Sequence, residues 1–144
     1  MRAVVTRVSE ASVEVGGNIT GKINRGFLVL LGIHSGDIEE DAIRLAEKVC
    51  NLRVFNDENG KMNLDLNSVQ GELLVISQFT LYADCRSRRP SFSEAARPEI
   101  AIPLYELFIN TCKNAGFTVE AGVFGAMMNV ASVNDGPVTI ILES

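Results

Sequence analysis

Residues 3–8, 12–15, 19–23 and 27–33 are four closely spaced runs of β-favouring residues, and Gly16-Gly17-Asn18 and Asn24-Arg25-Gly26 separate the later ones as turns. A chain that reverses this often within so few residues is expected to open as an antiparallel meander. Phe27-Leu28-Val29-Leu30-Leu31 is apolar at every position. Both faces of that strand therefore need cover, which makes it central rather than an edge.

The cover is expected from two helices. Asp37 is placed to cap the first, with Glu40 three residues later, and Ile38, Ala42, Leu45, Ala46, Val49 and Leu52 share one face over residues 38–51. The second is expected over residues 98–114. Pro98 suits its first turn, Ile100, Leu104, Leu107, Phe108 and Cys112 point inward, Pro103 lies early enough to be tolerated, and Gly116 ends it. Between them, residues 73–79 read as a further buried strand. Two last strands, 127–133 and 138–142, flank Asn134-Asp135-Gly136-Pro137, which reads as a turn. The fold class expected is α+β: a small antiparallel β-barrel-like sheet with two main helices, in a single domain spanning residues 1–144. Pattern alone leaves a closed barrel and an open sheet both standing.

Three cysteines, Cys50, Cys85 and Cys112, form no C-x-x-C pair, so neither a disulfide framework nor a zinc site is signalled. The first residues lack the apolar core of a signal peptide and no apolar run approaches membrane-spanning length, so a cytoplasmic protein is expected. A formal net charge of −5 opposes general attraction to nucleic acid. Any RNA contact has to be local, and the dense basic cluster is Arg86, Arg88 and Arg89. A phosphate-contacting loop and a solvated charge group account for it equally well.

Phosphate-loop, dinucleotide, nucleophile-elbow and H-E-x-x-H motifs are all absent. His34 is the sole histidine and therefore the sole imidazole base for a Ser-His or Cys-His hydrolase; its place in a Gly-rich turn favours a structural role. Cys85 lies beside three arginines, but no Arg stands where a phosphatase loop needs one, which favours an incidental thiol. If either served as nucleophile or base of some other esterase, Cys85→Ser or His34→Ala would abolish activity. Two segments stand out: Ser77-Gln78-Phe79-Thr80-Leu81, where an apolar strand ends in polar and aromatic residues, and Asn134 to Thr139. By pattern, a half-buried strand and a tight turn explain them.

Together, however, they resemble the signatures S-Q-F-T and N-x-G-P-[VF]-T of the D-aminoacyl-tRNA deacylase family. The resemblance extends through Arg7-Val8 with Ala11-Ser12-Val13, residues 26–33, Asn59-Gly60-Lys61-Met62-Asn63, Arg88-Arg89-Pro90-Ser91-Phe92 and Phe124-Gly125-Ala126. It departs in a loop around Cys85 that looks one residue short, and at Met127, where an acidic or polar residue is frequent.

The resemblance implies a homodimeric β-barrel hydrolase acting on D-aminoacyl-tRNA, with no cofactor or metal and with its sites at the subunit interface. Gly136-Pro137 would be cis and inserted into the partner's pocket, in a motif begun by Asn134, with Arg7 holding it. The carbonyls of Gly136 and Pro137 would accept hydrogen bonds from the substrate's α-ammonium, leaving an L side chain to strike the dipeptide. Glycine would pass. Ser77, Gln78, Phe79 and Thr80 form the catalytic segment, with backbone N–H groups around Phe79 and Thr80 as oxyanion donors. Thr80 has no histidine base matched to it, and the resemblance also implies participation of the terminal ribose 2′-hydroxyl, so hydrolysis assisted by that group is preferred to a Thr80 acyl-enzyme.

Overall fold

The computed structural model describes residues 1–144, with elements β1 (Arg2–Val15), β2 (Asn18–Ile23), β3 (Gly26–Gly32), α1 (Glu39–Cys50), β4 (Phe55–Asn56), β5 (Met62–Leu64), β6 (Glu72–Ser77), a 3-10 turn (Phe79–Tyr82), α2 (Pro98–Asn114), β7 (Val119–Ala121) and β8 (Asn129–Glu143). The main sheet runs β2-β1-β3-β6-β7, with β8 on the other side of β1, and β4 and β5 form a small separate pair.

The expected all-antiparallel sheet is corrected here: β3 pairs β6, and β6 pairs β7, in parallel. The reason lies in the connections. α1 intervenes between β3 and β6, and α2 between β6 and β7; such crossovers return the chain in the same direction, whereas tight turns reverse it. The meander expectation holds for β1, β2 and β3, which are antiparallel. The sheet is nearly closed, because β2 folds over β7: a Cβ at Gly21 would lie 2.9 Å from the Ala121 carbonyl oxygen.

Both helices cover one face, and the core is continuous between them and the sheet. Phe27, Val29 and Leu31 from β3, Leu73 and Val75 from β6, Leu45 and Val49 from α1, and Leu104, Phe108 and Cys112 from α2 belong to it. A second cluster around Val8, Val13, Ile23, Leu28, Leu74 and Ile76 fills the opposite face, so β3 and β6 are covered on both sides, as their unbroken apolar runs require.

Several local expectations change. Residues 3–15 form one strand, because β8 pairs along nearly its whole length. The cap of α1 is Ile38, whose N–H donates to the Asp41 carboxylate at 3.0 Å. Asp37 is occupied elsewhere, accepting from the His34 N–H at 2.6 Å and from the N-terminal ammonium at 2.7 Å. Ile38, the cap of α1, and Ile100, in the first turn of α2, are exposed, not inward.

The expected turn at 134–137 is instead a bulge within a single strand. Thr6 pairs Thr139 and Val8 pairs Asn134, so residues 135–138 bow outward opposite Arg7 alone. Pro137 has no N–H to give the ladder, and Gly136 has a φ of +126° that L side chains rarely adopt. The Gly136-Pro137 peptide bond is cis.

Candidate active site

β6 delivers the Ser77 to Thr80 segment. At Ser77 the strand ends, the Gln78 N–H donates to the Leu31 carbonyl at 2.9 Å, and the chain coils into the 3-10 turn over residues sequence pattern places in a strand. Gly32 permits this: a Cβ there would lie 2.9 Å from Leu81 Cβ and 3.2 Å from the Gln78 carbonyl oxygen. The first internal bond of the turn runs from Leu81 N–H to Gln78 O. The N–H groups of Phe79 and Thr80 precede it and so have no acceptor inside the turn. The Thr80 hydroxyl accepts from the Gln78 side-chain amide at 2.5 Å, and no imidazole is bonded to it.

A cleft of about 320 Å³ opens beside this turn, lined on one side by Ile76, Ser77, Gln78 and Phe79 and on the other by the 124–130 segment. Tyr105 braces that opposite wall. Its ring meets Phe124 at 6.0 Å and its hydroxyl donates to the Val75 carbonyl at 2.7 Å; burial pushes the phenol up to about 12. Met128 lies over Gly122, where a Cβ would run into its sulfur. Phe79 and Phe92 meet edge to face at 5.0 Å at the cleft mouth.

The second constellation is built on Arg7, which is only 6% exposed. Its Nη1 donates to the Val54 carbonyl at 2.6 Å and to Asn56 Oδ1 at 3.3 Å, while Nε donates to the Asp135 carbonyl at 3.1 Å and faces the Asp135 carboxylate at 3.3 Å. A buried guanidinium is tolerated because these acceptors surround it. Through them Arg7 ties the bulge to β1 and to the segment ahead of β4. Asn134 is exposed, and its Oδ1 accepts from the Ser132 hydroxyl.

Within one chain the two constellations stay apart. Ser77 is beside Leu31, Leu31 beside Ala3, and Ala3 beside Leu142. Pro137 lies in the bulge opposite Arg7, four residues along β1 from Ala3 and so roughly 13 Å away at the usual rise per residue, before the strands between are counted. The bulge therefore contributes no residue to the cleft of its own chain.

Of the three loop arginines, Arg86 forms an ion pair with Asp84, which holds the Asp84 carboxyl below its ordinary range; Arg86, Arg88 and Arg89 are all exposed. His34 Nδ1 accepts from the Gly36 N–H at 3.0 Å, a turn-forming contact, and Cys85 is exposed. No three His, Cys, Asp or Glu side chains converge, and no helix is long and apolar enough to cross a membrane.

Sequence pattern did not single out Arg2, Gly32 or Asn56. Arg7 did leave a readable signal: it shares strand parity with the buried Ala3 and Val5, and a charge on an inward face requires partners.

Comparison with known proteins bears on this geometry. The profile of the family described as D-Tyr-tRNA(Tyr) deacylase matches residues 4–143. The chain is 61% identical to a D-aminoacyl-tRNA deacylase of Thermosipho africanus, over all of this chain and 97% of the relative, and 57% identical to that of Thermus aquaticus, over all of this chain and 95% of the relative. A solved structure of a c-Myc DNA unwinding element binding protein superposes with a TM-score of 0.94 at 42% identity, covering 100% of this chain and 99% of the other. A probable eukaryotic D-amino acid tRNA deacylase shares the fold, with a TM-score of 0.85 at 15% identity, covering 99% and 98%.

Proposed function

The chain belongs to the D-Tyr-tRNA(Tyr) deacylase family, and from that premise we propose that it hydrolyses the ester joining a D-amino acid to the 3′ end of tRNA while sparing the L-aminoacyl ester. The observation that carries this reading is the cleft beside the 3-10 turn, where two backbone N–H groups without acceptors in the turn stand next to Ser77 and Gln78. Two such donors suit the negative charge that develops on an ester carbonyl as it becomes tetrahedral.

The active unit is a homodimer. The two constellations lie on different parts of one chain, β8 has β1 as its only strand partner, and Met127, Phe79, Val130 and Val133 expose apolar surface at 92, 55, 40 and 51%. A free strand edge next to apolar surface favours a second chain. In the dimer each bulge enters the partner's cleft, where the Gly136 and Pro137 carbonyls accept the substrate's α-ammonium and leave an L side chain no room. A gate of this kind passes glycine.

Hydrolysis uses water assisted by the terminal ribose 2′-hydroxyl rather than a Thr80 acyl-enzyme. Thr80 Oγ1 is held by an amide donor, which cannot remove its proton. The exposed Arg86, Arg88 and Arg89 supply the local positive charge for tRNA phosphates, and the reaction takes place in the cytoplasm.

The decisive experiment compares discharge of D-tyrosyl-tRNA and L-tyrosyl-tRNA by the purified protein. Discharge of the D form alone is expected; equal discharge of both overturns the gate. A second reading, nucleic-acid binding without turnover, is favoured by the name of the 42% identical unwinding-element binding protein and opposed by the net charge of −5. Retention of charged tRNA without discharge would select it.

A further inference from the structure

The 3-10 turn that carries Phe79 and Thr80 lies at the surface, where Phe79 meets Phe92, Tyr82 meets His34, and Asp84 just beyond it pairs with Ser91. None of its residues is buried, and Phe79 is more than half exposed. Its entry is fixed by the Gln78 N–H on the Leu31 carbonyl, and its back rests on Gly32. Its exit is held by a side chain: Arg2 Nη1 donates to the Leu81 carbonyl at 2.8 Å, and the same guanidinium lies 5.0 Å from the centre of the Tyr82 ring. Arg2 is itself aimed by Glu143, whose Oε1 accepts from Nε at 2.7 Å and lies 2.6 Å from Nη2. β1 and β8 thus present one guanidinium to the Leu81 carbonyl and to the face of the Tyr82 ring, both of which attract a cation.

We infer that Arg2 is a positioning residue for the deacylation reaction, setting the tilt of the 78–82 turn and so the aim of the Phe79 and Thr80 N–H groups into the cleft. The inference rests on the reading of those groups as oxyanion donors. Arg2 touches no part of the cleft lining; it acts through the Leu81 carbonyl and the Tyr82 ring. The competing account is a surface ion pair with Glu143 that matters only for stability, and pairs of that kind contribute little.

The test uses the full chain and D-tyrosyl-tRNA. Arg2→Met keeps most of the aliphatic stem and removes both contacts with the turn; small misplacements of catalytic groups are costly, so kcat is expected to fall about tenfold or more with KM within about twofold. Arg2→Lys retains one donor and a cation over the ring and is expected to recover most of kcat. Glu143→Gln removes the charge but keeps a side-chain oxygen that can accept from Arg2 Nε and hold its aim at Leu81, so its kcat should stay within about twofold of the parent.

Amide hydrogen exchange provides the reading independent of chemistry. In Arg2→Met, exchange at Leu81 and Ala83, which bond within the turn to Gln78 O and Thr80 O, is expected to quicken while the β1–β3 ladder is unchanged. Unchanged exchange at both amides overturns the positioning role. Quickened exchange with an unaltered kcat overturns it as well, and places the fault in the oxyanion reading of the turn. If Arg2→Met does not fold, Arg2→Lys and Glu143→Gln decide: equal losses of kcat in proportion to lost stability reduce Arg2 to a structural ion pair.

Discussion

Arg7 shows how much one buried charge can determine. Its guanidinium satisfies acceptors on Val54, Asn56 and Asp135, so Arg7→Met leaves the buried Val54 carbonyl without that donor while Asn56 and Asp135 can turn to water. An acceptor left unsatisfied in the interior costs about 1–3 kcal/mol, and a shift of that size in urea unfolding is the expected result. At Gly136, a Cβ would stand 3.0 Å from the Val138 nitrogen and 3.1 Å from Arg7 Nη2 at a φ of +126°. Gly136→Ala is therefore expected to displace the bulge and reduce D-tyrosyl-tRNA discharge or its D-to-L preference; unchanged values of both would remove the bulge from the mechanism. Tyr105 links stability to alkaline pH. Its phenol, and that of Tyr82, are pushed up to about 12 chiefly by burial. Between pH about 10 and about 12 the unfolded phenols ionise while the folded ones stay neutral, so stability falls as pH rises through that window, by roughly 2 kcal/mol for Tyr105. Tyr105→Phe is expected to lower stability at neutral pH by about 1 kcal/mol through loss of the bond to Val75 O, and to flatten part of the alkaline decline.

At the scale of elements, the site depends on where β6 stops. The strand is held by core contacts through Ile76, and the chain leaves it where Gly32 on β3 allows Gln78, Leu81 and Tyr82 to approach the neighbouring backbone. Gly32→Ala should push the turn outward and lower kcat about tenfold or more, since misplaced donors lose most of their effect, while α1 and α2 keep their packing. α2 answers to a different test. Phe108 is fully buried between helix and sheet, and Phe108→Ala is expected to cost about 3–5 kcal/mol by cavity formation, read as a lower urea midpoint. Both helices were legible from 3.6-residue periodicity, and α2 begins and ends where Pro98 and Gly116 signal. The exposure of Ile38 and Ile100 at their N-terminal ends was not, because a periodic apolar pattern does not reveal where the partner surface ends.

At the scale of the whole molecule, the proposed function sets a requirement of its own. The cleft and the bulge are on separate parts of the protein, and their union in the proposed homodimer makes a specific prediction. Gly32→Ala carries a damaged turn with a sound bulge, and Gly136→Ala the reverse. Mixed protomers that reassort freely would form hybrid dimers with one intact site, restoring about a quarter of the parent activity. Two impaired variants whose activity does not rise when mixed, in dimers shown to exchange, would mean that the bulge does not serve the partner's cleft.

The amino-acid sequence by itself determined the local elements: strand runs, two helices, the glycine-bearing turns, and the segments Ser77–Thr80 and Asn134–Thr139 whose likeness to a family pointed to chemistry. These follow from side-chain periodicity and backbone preference, which act over a few residues. Tertiary structure alone decided strand direction, the single long β8 with its bulge opposite Arg7, the coiling of Phe79 and Thr80 out of β6, and the anchoring of that turn by Arg2. Each depends on groups distant in sequence meeting in space: Leu31 with Gln78, Arg7 with Asp135, Arg2 with Leu81. Hydrogen bonds between such partners are satisfied only once the sheet has assembled, so no local pattern in the chain encodes them.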